Sequence, residues 1–110
     1  MDILHITRKT LIAKDVQVAD SLIKKTKGLL GENNAKPLLF YTRFGIHTFG
    51  MKFPLDIIIL DKNSKVVTLK ENLKPWRIFL WNPKYSTVLE LPAGTINKTK
   101  TVIGDLIKIS

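Results

Sequence analysis

Gly45-Ile46-His47-Thr48-Phe49-Gly50-Met51-Lys52-Phe53-Pro54-Leu55-Asp56-Ile57-Ile58-Ile59-Leu60-Asp61 joins a polar, sulfur-bearing segment to an almost unbroken apolar run. Asp56 to Leu60 barely alternates in polarity, which is the pattern of a strand buried on both faces. Ahead of it, Gly50 to Pro54 bends the chain, and Thr48-Phe49 reads as a short strand. This stretch therefore sets a candidate site against a core strand.

Working outward toward the carboxyl terminus, Asp61-Lys62-Asn63-Ser64 is rich in side chains that hydrogen-bond their own backbone, so it reads as a turn. Lys65 to Lys70 continues as a strand and completes a hairpin. From Glu71 to Ser86 no period of 2 or 3.6 survives, and Pro75 and Pro83 remove backbone donors, so the reading is one long connection of the kind that often carries function. Thr87 to Leu91 is a further strand, Ala93 to Thr99 a helical turn, and Val102 to Ile109 a strand, a Gly104-Asp105 turn and a closing strand.

Toward the amino terminus, Pro37 to Thr42 reads as a strand behind the turn residues Asn33-Asn34. Ile3 to Ile12 reads as an edge strand, with Arg8 and Lys9 at a turn or on its solvent side, and Val16 to Ala19 as a second short strand. Asp20 or Ser21 is a candidate N-cap for a helix whose Leu22, Ile23, Thr26, Leu29 and Leu30 share one face. Lys24, Lys25 and Lys27 oppose the negative end of that helix, and Gly31 is a left-handed stop. The fold class that follows is a single α+β domain over residues 1–110, β-rich, with a small mixed or antiparallel barrel-like sheet and one principal helix.

Composition narrows the function classes. Apolar residues make up 45% of the chain and charged residues 25%, which is ordinary for a globular domain. The absence of cysteine excludes disulfides and thiolate chemistry. The amino terminus shows no secretory signal and no segment is long and apolar enough to span a bilayer, so a cytoplasmic location and no membrane partner are expected. The net charge of +9 is the largest departure from average, and it favours anionic partners, nucleic acid among them. Those charges are scattered rather than gathered into a basic arm.

No nucleophile elbow, phosphate loop or metal-ligand spacing is present. With His5 and His47 the only histidines, neither a metal nor a cofactor is expected. If Thr48-Phe49 paired with Asp56-Ile57, His47 would approach Asp56 or Asp61, giving an imidazole with an orienting carboxylate. Met51 fills a core gap or lines a groove shaped by Gly50 and Pro54, with Lys52 beside it. Asp56, starting an apolar strand, must be hydrogen-bonded or lie at a rim, with structural support its first reading and ligand contact its second. Trp76, Arg77, Phe79, Trp81 and Tyr85 give the 71–86 segment a high aromatic density. They either cap the open end of a small barrel or form a stacking surface with Arg77 beside it.

Five motifs occur in order: Thr26-Lys27-Gly28-Leu29-Leu30-Gly31, the stretch His47 to Asp56, Leu60-Asp61, Val88-Leu89-Glu90-Leu91-Pro92-Ala93-Gly94, and Gly104-Asp105. In order and spacing the chain resembles, over about residues 16–109, the prokaryotic family called domain of unknown function 192. The resemblance implies one β-rich domain with a small helical component and no established activity. Leu30 stands where the family's glycine-leucine-methionine-glycine element usually has methionine. His47-Thr48-Phe49 occupies a place where many relatives carry tryptophan. The functional expectation is a non-enzymatic binding or accessory module for an unknown ligand or protein partner. Its candidate ligand-binding residues are His47, Met51, Lys52, Asp56, Trp76, Arg77 and Trp81. The alternatives are a nucleic-acid binder and a small-molecule enzyme built on His47.

Overall fold

The computed structural model describes residues 2–6, 11–14, 16–18 and 37–109. Ten strands run in the order β1 (Ile3–His5), β2 (Leu11–Ala13), β3 (Gln17–Val18), β4 (Leu38–Tyr41), β5 (Gly45–His47), β6 (Leu55–Leu60), β7 (Val66–Leu73), β8 (Ile78–Leu80), β9 (Thr87–Pro92) and β10 (Ile107–Ile109). A single described helix, α1 (Thr95–Thr99), separates β9 from β10. The principal helix expected over residues 22–30 lies outside the described residues, as do its lysine trio, Gly28, Gly31 and the Arg8-Lys9 turn.

The strands form a five-stranded sheet of order β3-β4-β9-β6-β7, a three-stranded sheet of order β10-β1-β2, and a two-stranded ribbon of β5 and β8. Among the described residues only β3 and β4 pair in parallel, so the central sheet is mixed and the other two are antiparallel. The β-rich α+β reading holds, with one correction: the sheets do not close into a barrel.

All six residues of β6 are buried because β6 lies inside the central sheet with a layer on each face. Leu55, Ile57 and Ile59 point into a core shared with Phe40, Val88, Ile46, Met51 and Trp81, beneath the ribbon. Ile58 and Leu60 point the opposite way, into a core with Leu39, Leu89, Leu91, Ile3, Ile12, Ile107 and Ile96. Each fully buried isoleucine or leucine contributes roughly 1.5–3 kcal/mol relative to exposure. A strand between two such layers cannot carry a polar face, and the continuous apolar run is the sequence record of that position.

Asp61 makes the turn after β6. Its Oδ1 accepts from the amides of Asn63 at 2.8 Å and Lys65 at 3.0 Å, while Ser64 takes a positive φ of 61°. The hairpin is longer than the sequence indicated, because β7 runs on to Leu73 through register shifts opposite Leu55–Ile57 and Ile59–Leu60. These bulges hide the two-residue period. The segment 71–86 is therefore not one irregular connection: it contains the end of β7, a turn and β8. The expected strand at Val102-Ile103 is also absent, since both side chains are exposed in a loop and only Ile107 to Ile109 forms the closing strand. Likewise Ile3 to Ile12 is two antiparallel strands rather than one.

Candidate functional site

The site grows from the pairing of β5 with β8, in which Gly45 faces Leu80, Ile46 faces Phe79 and His47 faces Ile78. Alternation sends Ile46 into the core, where Phe79 packs against it, and leaves His47, Ile78 and Leu80 exposed on the outer face. Gly45 permits the close approach. A Cβ there would stand 2.5 Å from Leu80 Cδ2 and 2.6 Å from the Phe79 carbonyl oxygen.

Thr48, next along the chain, is buried and holds the turn that precedes β8. Its amide donates to the Arg77 carbonyl at 2.9 Å, and its own carbonyl accepts from Trp76 and from Met51, both at 3.1 Å. Its hydroxyl donates to the Lys74 carbonyl at 2.7 Å and accepts from the Arg77 amide at 2.9 Å. A closed turn would join those two backbone groups directly, so the Thr48 hydroxyl stands in for the turn's own hydrogen bond. Pro75 presets the second turn position. Trp76 occupies the third with φ of 64°, a left-handed conformation usually left to glycine or asparagine.

This geometry turns the Trp76 ring outward, 65% exposed, where it stacks on Phe49 with centroids 5.8 Å apart and planes 25° apart. Phe49 in turn stacks on His47 at 4.8 Å and 27°. His47 Nδ1 accepts from the Phe49 amide at 3.3 Å. Three rings thus form a ladder at one end of the ribbon. Beside it lies an open groove of 340 Å³ lined by Lys70, Asn72, Leu73, Lys74, Arg77 and Ile78, with three cations and no acid among them.

The structure divides the residues singled out from sequence. His47, Trp76 and Arg77 come together at the ladder and groove. Lys52 is exposed but does not line the groove. Met51 and Trp81 are core residues. Trp81 is 9% exposed, donates Nε1–H to the Tyr85 carbonyl at 2.8 Å and packs at a tilt on Phe79. Asp56 is fully buried, with Oδ1 accepting from the Asn72 amide at 2.9 Å and Oδ2 from the Ile96 amide at 2.8 Å. Met51, Asp56 and Trp81 are thus buried, apart from the exposed ring ladder.

The imagined acid–base pair is corrected too. β5 pairs with β8 and not with β6, so His47 has no carboxylate within ion-pair distance among the described residues. The histidine that does meet a carboxylate is His5, whose Nε2 lies 3.3 Å from Asp105 Oδ2 and 2.9 Å from Thr101 Oγ1 in the interior between β1 and the loop before β10. No cluster of three or more metal-ligating side chains occurs among the described residues.

Sequence reasoning missed Thr48, Phe49, Lys70 and Lys74 as site residues. The run Lys74-Pro75-Trp76-Arg77, a ring between cations at a proline turn, was the available signal for Lys74. Thr48 gave none, because the partners of its hydroxyl are backbone atoms distant in sequence.

The comparisons agree with this fold. The family model for DUF192, described as "Uncharacterized ACR", matches residues 4–109. The chain is similar to the UPF0127 protein of Pyrococcus horikoshii, with 37% identity over 86% of each chain, and to that of Pyrococcus abyssi, with 34% identity over 84% of each. A crystal structure of a protein of unknown function from Novosphingobium aromaticivorans superposes with a TM-score of 0.80 at 16% identity, covering 98% of this chain and 82% of that one. That likeness speaks to the fold alone. With the family model spanning β1 to β10 and both archaeal relatives above 30% identity, the chain belongs to the DUF192 family, whose function is uncharacterised.

Proposed function

We propose that this protein is a non-catalytic binding module whose ligand-facing surface is the outer face of the β5–β8 ribbon, with the His47–Phe49–Trp76 ladder and the Lys70–Lys74–Arg77 groove as its two halves. One observation carries the reading. Trp76 sits on left-handed backbone, which costs a bulky residue on the order of 1–3 kcal/mol, yet its ring is directed to solvent rather than to the core. Burial does not offset that strain, whereas a ligand laid on the ring would. Leu80, 69% exposed, and Ile78 extend the apolar surface along the ribbon, and contiguous exposed apolar area of this kind marks interaction sites. The ligand that fits is anionic and carries a flat apolar part. A cytoplasmic setting belongs to the same proposal, in keeping with a cysteine-free chain. The acid–base alternative finds no support, because both Asp56 oxygens are engaged by backbone amides.

The test uses anilinonaphthalene sulfonate, an anion with fused rings. Its fluorescence should rise saturably with the native protein, and its affinity should fall in Trp76→Gly and in Lys74→Glu. Unchanged dye binding in both folded variants would sink the proposal.

A further inference from the structure

We infer that the ligand of the ribbon is single-stranded nucleic acid, with one unpaired base continuing the ring ladder on Trp76 and backbone phosphates entering the groove lined by Lys70, Lys74 and Arg77. The inference rests on the ribbon being a binding face, and it names the ligand class. In the ladder, Phe49 has a ring on either side, so a further ring is added only at an end, and the Trp76 end is the one continuous with the cationic turn. Lys74 and Arg77 flank Trp76 in sequence, so ring and charge are presented by one rigid turn held by Thr48.

Two alternatives fit less well. A duplex hides its base faces and offers only phosphates, which would leave the ladder unused. An acidic peptide satisfies the cations but brings no flat ring. A strand with unpaired bases supplies both, and stacking together with phosphate neutralisation is how sequence-tolerant single-strand binders work. The groove's charge is of one sign, complementary to a polyanion, and the chain as a whole is at +9.

Fluorescence anisotropy of a labelled short oligouridylate, at low and near-physiological salt, tests this, with unlabelled duplex and polyglutamate as competitors. Saturable binding is expected, with a log–log salt slope of about −2 for three cations on a single strand. Trp76→Leu should weaken binding roughly 5- to 150-fold, while Trp76→Phe retains most of it. Lys74→Ala should make the salt slope shallower by about 0.7. Thermal melts identify any variant that fails to fold, and Lys74→Ala, a change at an exposed side chain, then carries the test. Absence of oligouridylate binding at low salt overturns the inference. If the sulfonate dye still binds, the ribbon reading stands and only the ligand class falls; if neither binds, both fall. Equal competition by duplex, or stronger competition by polyglutamate, also overturns it, the latter in favour of an acidic protein partner.

Discussion

Thr48 and Arg77 exchange backbone and side-chain hydrogen bonds in both directions: the Thr48 amide donates to the Arg77 carbonyl, and the Arg77 amide donates to Thr48 Oγ1, each at 2.9 Å. The same hydroxyl reaches the Lys74 carbonyl. One buried side chain therefore sets the shape of the turn that displays Trp76. Thr48→Val keeps the volume and removes both bonds, leaving a part-buried amide and carbonyl without that partner, at a cost of about 0.5–1.5 kcal/mol each. A urea melt should show the loss, Thr48→Ser should recover most of it, and ligand or dye affinity should fall with Thr48→Val even where the protein stays folded. Full dye affinity in a folded Thr48→Val protein would show that the turn keeps its shape without the hydroxyl.

Asp56 ties the bulge at Asn72, where φ is 52°, to the first turn of α1 through Ile96. This joins elements on two edges of the second core. Asp56→Ala strands two amides, one of them fully buried, and is expected to cost roughly 2–4 kcal/mol, a large part of a small domain's stability. Asp56→Asn should cost less but still destabilise, because its amide nitrogen would face a donor. A chemical-denaturation midpoint unchanged in Asp56→Ala would contradict this account.

Gly45 is required by space rather than by backbone conformation. Gly45→Ala is expected to destabilise by about 1–3 kcal/mol, the usual range for overpacking. Adding Leu80→Ala removes the side-chain clash but leaves the Phe79 carbonyl in the way, so rescue should be partial. Complete rescue in a thermal melt would show that only Leu80 enforces glycine.

The two tryptophans should separate cleanly in fluorescence. In Trp76→Phe the remaining Trp81 should emit at short wavelength and resist acrylamide, and in Trp81→Phe the remaining Trp76 should emit at long wavelength and be quenched readily. Trp81→Phe also loses the indole bond to Tyr85 and core volume, for a cost of about 1–3 kcal/mol. Trp76→Gly relieves left-handed strain while losing the stack on Phe49, so its stability should stay within about 1 kcal/mol of the native protein. A large loss in Trp76→Gly would make the ladder a stability element rather than a display.

Much of this architecture is legible in the chain, and the reasons for each success and failure are physical. Ile57 to Leu60 announces double burial because isoleucines on both faces have apolar layers to enter. Asp61 to Ser64 announces its turn because the side chain of Asp61 bonds its own backbone. The segment after Lys70 is opaque because bulges break the period of β7, and because β8 shows apolar Ile78 and Leu80 to solvent, which erases the inside–outside contrast on which strand reading depends. The separation of Trp76 from Trp81 is not written in their residue type: it follows from the φ of one turn residue and from the hydroxyl that holds it.

The place of β9 in the sheet also dictates when the protein can fold. Thr87–Pro92 lies between β4 and β6, both synthesised long before it, and β10, at the end of the described chain, completes the sheet that β1 begins. On the ribosome, β4 and the β6–β7 hairpin must emerge with bare edges and two apolar faces, the state most open to wrong pairing. Arrested nascent chains ending before Thr87 should be digested readily by protease, and protection should arrive abruptly once β9 and β10 have cleared the exit tunnel. Native order in this domain thus waits on its last strands, β9 and β10.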